Sequence, residues 1–144
     1  MITTAEKLLA GLIEEDEFEH PGSLKIDGNH PTLVIINDNG CFSGIDRTDI
    51  LEAMFGEATI TATKGNDGIQ FGETFAGRNK RMTETCSTSV SALGNLYGGI
   101  DYPCILVYHN HFASVPIDPS WFVCERFQHF RLATEGFSWQ QLGG

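Results

Sequence analysis

Between residues 4 and 15 the apolar positions Leu8, Leu9, Leu12 and Ile13 recur at helical spacing behind Thr3-Thr4-Ala5-Glu6, which has the form of a capping box. A helix over 4–15 is predicted. It runs into the acidic stretch Glu14, Glu15, Asp16, Glu17 and Glu19, and His20-Pro21-Gly22 breaks it. The period then shortens. Thr32–Ile36 is a β-branched run suited to a buried strand, Asn37-Asp38-Asn39-Gly40 is turn chemistry, and Cys41–Ile45 reads as the returning strand of a hairpin. Asp46 or Asp49 can cap a short helix over Ile50–Phe55, which Gly56 closes. Ala58–Thr63 alternates, Lys64-Gly65-Asn66-Asp67-Gly68 turns, and Ile69–Phe75 returns as a second hairpin.

Helical spacing reappears at Met82, Cys86, Val90, Leu93 and Tyr97, with Gly98-Gly99 as its stop. Cys104–Tyr108 is an apolar run of strand length. Asp118-Pro119 pairs a capping residue with proline at a first helical position, and the helix it opens carries Phe122, Phe127, Phe130 and Ala133 as far as Gly136. These elements add up to a single α+β domain over residues 1–144. Its sheet is antiparallel or mixed, built from two hairpins plus a central strand, with about four helices.

The charge balance narrows the function. Nine Lys and Arg against nineteen Asp and Glu leave a formal charge of -10, which repels nucleic acid and anionic membrane surfaces alike. No apolar run is long enough to span a membrane, and the N-terminal residues have none of the features of a secretion signal. Cys41, Cys86, Cys104 and Cys124 are too scattered for a structural zinc site and read as reduced core thiols in the cytoplasm. Arg78, Lys80 and Arg81 gather three cations in one solvated loop. The expectation is a small acidic cytoplasmic protein, an inhibitor or assembly component, that binds another protein through Glu14, Glu15, Asp16, Glu17 and Glu19. Its oligomeric state is left open.

Two stretches carry candidate chemistry, so whether the chain is an enzyme stays open as well. In Tyr108-His109-Asn110-His111 the imidazoles stand two apart, and on an extended strand both point to one face, where paired imidazoles suit zinc. Followed by a Pro-Ser turn into a helix, this resembles the JAMM/MPN metalloprotease family over roughly residues 83–135. The resemblance implies a zinc-dependent hydrolase with His109 and His111 as ligands. The family's third ligand, an Asp, would fall at Phe122, or at Val123 with a one-residue slip, so the third donor is unknown among Asp118, Cys124 and Glu125. Its acid/base glutamate would be one of Glu52, Glu57, Glu73 and Glu84.

The second stretch, Cys41-Phe42-Ser43-Gly44-Ile45-Asp46-Arg47, has the Cys-x5-Arg spacing of cysteine-dependent phosphatases and looks like their myotubularin variant. There Cys41 would be the nucleophile, Arg47 would clamp the phosphate oxygens, and Asp46 would protonate the leaving group. A hairpin strand at 41–45 competes with that reading, because amides paired in a ladder cannot cradle a phosphate.

Overall fold

The computed structural model describes residues 26–37, 44–98 and 101–143. Along the chain lie β1 (Leu33–Asn37), α1 (Arg47–Phe55), β2 (Ala58–Gly65), β3 (Gly68–Ala76), β4 (Ala92–Tyr97), β5 (Cys104–His109), β6 (Phe127–Leu132) and β7 (Trp139–Leu142). Five strands make one mixed sheet in the order β1-β4-β5-β6-β7, while β2 and β3 form a separate two-stranded unit. β1 runs parallel to β4 and β5 parallel to β6, whereas β4–β5 and β6–β7 are antiparallel. The apolar run at 104–108 therefore occupies the middle of the sheet, paired on both edges.

Alternation along the strands loads both sheet faces. On one face Val34, Ile36, Leu93, Leu106, Tyr108 and Phe130 pack beneath α1, which contributes Ile50, Leu51, Ala53, Met54 and Phe55. On the other, Ala92, Val107 and Ile117 are joined by Leu33, Ile105, Phe122 and Phe127. Each fully buried Leu, Ile, Met or Phe contributes about 1.5–3 kcal/mol, so the face under α1 holds most of the stabilisation. The start of α1 follows from its own residues. The Asp46 carboxylate accepts from Asp49 N at 2.9 Å, and the Asp49 side chain accepts from Asp46 N at 3.2 Å.

The expected architecture needs correction. Among the described residues there is one α-helix, not four, and the fold is rich in sheet. The helix expected over 4–15 lies outside the described residues. The stretch from Met82 to Tyr97 is loop followed by β4. Its Ser and Thr side chains hold it out of a helix: Thr83 Oγ1 accepts from Thr85 N and Cys86 N, and Ser87 takes a positive φ of 57°. The capped start at Asp118 yields a 3-10 turn only three residues long (Pro119–Trp121), after which the chain becomes β6. Nor do the described residues show β1 returning as a hairpin, the turn and residues 41–43 of the expected second strand lying outside them. The partner of β1 is β4, and 44–46 form no strand. Thiol placement also departs from expectation, since Cys104 is buried but Cys86 and Cys124 are exposed. Cys41 lies outside the described residues. No helix among those residues is long and apolar enough to cross a membrane.

The β2–β3 hairpin does form, and it stands out as an arm. Every residue along it is exposed except Thr59 and Ala76 at its base. At the neck Glu57 N donates to Arg78 O and Gly77 N donates to Glu57 O, both at 2.8 Å, so the two chains cross closely. The crossing requires glycine. A Cβ on Gly77 would lie 2.0 Å from Thr59 Oγ1, and one on Gly56 only 2.7 Å from Arg78 O.

Candidate functional site

Asn110 decides the geometry at the end of β5. Its amide nitrogen donates to Ser87 O at 3.2 Å and to Val90 O at 2.8 Å, while its Oδ1 accepts from Phe112 N at 3.0 Å. Buried and fully bonded, this side chain turns the backbone out of the strand immediately after His109. The two-residue alternation ends there, so the premise that His109 and His111 share a face fails at Asn110.

His109 follows Ile105 and Val107 onto the sheet face opposite α1. Its Nε2 lies 2.9 Å from His129 Nδ1, and His129 Nε2 lies 3.2 Å from the Phe122 carbonyl oxygen. A carbonyl can only accept, so His129 carries its proton on Nε2 and presents a bare Nδ1. His109 Nε2 must then be the donor. Burial, with His129 adding to it, pushes His109 down to about 4.

His109 makes stability depend on pH. An unfolded His109 binds a proton near 6.5 and the folded one near 4, so between those values the unfolded chain holds more protons. The contribution is fully present above pH 6.5 and is lost as pH falls through about 4. Discounted for the partial exposure of the ring, it amounts to roughly 1–3 kcal/mol. Urea unfolding at pH 7.5 and pH 5 should show the loss in the native chain and a smaller one in His109→Gln. An identical loss in both would remove His109 as its source.

His111 goes the other way. Its ring lies 5.0 Å from that of Phe55 and 3.9 Å from that of Phe112, on the α1 side of the sheet, and burial lowers its pKa. Among the described residues no group of three or more His, Cys, Asp and Glu side chains is placed to hold a metal ion. Asp118, one of the third-donor candidates, caps the 3-10 turn by accepting from Ser120 N at 2.9 Å. Glu125 accepts from the Tyr102 hydroxyl at 3.0 Å. His129 was not singled out in the sequence because its segment read as helix; alternation of Phe127, His129 and Arg131 as a strand is the signal that would have found it.

The second candidate stretch is placed in part. Cys41 lies outside the described residues. Asp46 and Arg47 open α1, where the Asp46 carboxylate serves as the helix cap. The Arg47 guanidinium sits 4.5 Å over the Phe130 ring, and Arg47 O accepts from Trp139 Nε1 at 2.9 Å. Next to it the buried Tyr108 hydroxyl has no hydrogen-bond partner among the described residues. Burial pushes that phenol up to about 12, with the Arg47 charge pulling the other way. Arg47 thus ties α1 to β6 and β7. The acidic contact residues Glu14, Glu15, Asp16, Glu17 and Glu19 lie outside the described residues.

The arm presents a different surface. In its ladder Ile60 pairs with Thr74, but Ala62 pairs with Phe71, so β3 carries one extra residue between them. That bulge resets the faces. Counting from the pairs, Ile60, Ala62, Ile69 and Phe71 share one side with Ala58 and Ala76, while Thr59, Thr61, Thr63 and Phe75 take the other. Ile60 is 50%, Ile69 64% and Phe71 68% exposed, an apolar stripe on a projecting element.

No protein-family model matches the chain, and comparisons with curated proteins and with solved structures found no match either.

Proposed function

We propose that this chain works in the cytoplasm by binding another protein, and that the β2–β3 arm is the element it presents. The observation that supports this reading is the exposed stripe Ile60, Ala62, Ile69 and Phe71 on an arm whose two strands, among the described residues, pack mainly against each other. Keeping large apolar side chains in water lowers solubility, and a partner that covers them removes that cost.

The size of the arm indicates the kind of partner. At ~3.3 Å per residue the arm is about 30 Å long, and two strands wide it offers on the order of 300 Å² per face. A stable interface takes about 800 Å² from each side, so a flat partner on one face falls short. A partner with an apolar groove that closes on both faces, reaching Phe75 as well, doubles the arm's contribution to about 600 Å², the low end of specific interfaces.

The variant Ile69→Asp, Phe71→Asp tests the proposal. Both side chains are exposed, so its melting temperature should stay close to that of the native chain. A photoreactive residue at position 71 should cross-link one protein in cells, and excess native chain should compete for it. Affinity of that protein for the double variant should fall on the order of 100-fold, as expected for two central contacts. Unchanged affinity would refute the arm as the docking element, as would cross-links only to further copies of this chain.

A further inference from the structure

A cleft at the foot of the arm, on the α1 side of the sheet, has the makings of a ligand site. It encloses about 370 Å³ and is floored by Phe55, Met82, Phe112 and Leu132, with His111 and Lys80 on its wall. Buried Phe55 and Met82 fix the floor from beneath, and Phe112, edge to face with Phe55 at 63°, and Leu132 are only partly buried above them. The half-buried Phe112 and Leu132 therefore offer the open apolar surface against which a planar ring can lie.

The wall supplies the polar part. Among the described residues Lys80 makes no ion pair and His111 makes no hydrogen bond, so an ammonium and an imidazole are both available to the cleft. The single carboxylate lining the cleft is Glu84. Lys80 is therefore the cation that the cleft itself presents. A cation and a ring N–H above an aromatic floor recognise a flat hydrophobic group that ends in an anion.

We propose that this cleft binds a free aromatic monocarboxylate of one or two rings, with the ring system over Phe112 and Leu132 and the carboxylate against Lys80 and His111. The assignment is independent of the partner proposed for the arm. A bicyclic acid fits the volume, since sites for small ligands begin at about 300 Å³.

The test uses the full chain and 2-naphthoate, followed by NMR on the His111 ring and the Met82 methyl. Saturable shifts are expected at both, with 2-naphthoate binding at least tenfold tighter than the uncharged 2-naphthalenemethanol. Lys80→Met keeps the stem that packs near Gly56 and removes the charge. It should abolish the preference for the acid, whereas Lys64→Met, a cation out on the arm, should leave it unchanged. Absence of saturable shifts, equal binding of acid and alcohol, or an unaltered Lys80→Met would each overturn the proposal. A peptide ending in Phe that binds tenfold tighter than 2-naphthoate would overturn it too, by making the site a receptor for chain termini.

Discussion

Phe130→Ala is expected to cost about 3–5 kcal/mol of folding stability, read as a lowered urea midpoint, because it empties a fully buried aromatic site. Phe130 is 1% exposed, its ring lies 5.3 Å from that of Tyr108, and the Arg47 guanidinium lies 4.5 Å from its centre. The removal therefore leaves a cavity where α1, β5 and β6 meet, and takes away a cation–π contact as well. Phe127→Ala should cost less, about 1–2 kcal/mol, since Phe127 is only half-buried, on the opposite sheet face against Phe122. The contrast tests the strand itself. On a helix, positions 127 and 130 would fall on one stripe and lose similar amounts. Equal losses at the two sites would contradict β6.

Gly56→Ala should be nearly as damaging, at about 2–4 kcal/mol, for a backbone reason. Gly56 ends α1 with φ 111° and ψ 169°, a region that side-chain-bearing residues scarcely enter. A Cβ there would also lie 2.7 Å from Arg78 O, inside the neck of the arm. Gly68→Ala is the control. Gly68 has a similar φ of 121° but nothing within 4 Å of the added carbon, so it carries strain without collision and should lose about 1–2 kcal/mol. Thermal unfolding of the two variants separates the terms. Equal losses would mean that the neck is looser than its hydrogen bonds indicate.

How much of the site was legible depends on how far each signal reaches along the chain. The run from Cys104 to Tyr108 declared itself as a buried strand, and His109 was correctly seen at its end. The partner of His109 was not legible, because His129 sits twenty residues on in a segment whose aromatic spacing fits a helix as well as a strand. The face of His111 was hidden for a related reason. It turns on the three hydrogen bonds of Asn110, two of them to carbonyls in the loop before β4. The apolar stripe of the arm needed the structure too, since a one-residue bulge moves Phe71 to the side of Ile60.

By itself the sequence determined what a few adjacent residues can settle: a cap at Asp46 or Asp49 and the Gly56 stop of α1, the turn that folds β2 onto β3, and the apolar run of β5. Those signals act within about four residues, through side-chain caps, left-handed glycines and alternation. Tertiary structure alone decided that 92–97 and 127–132 become strands. Each gains its backbone partners from β5, and β-propensity expresses that environment more than any preference of the residues themselves. The same pairing brings His129 against His109, while the bonds of Asn110 turn His111 to the far side of the sheet.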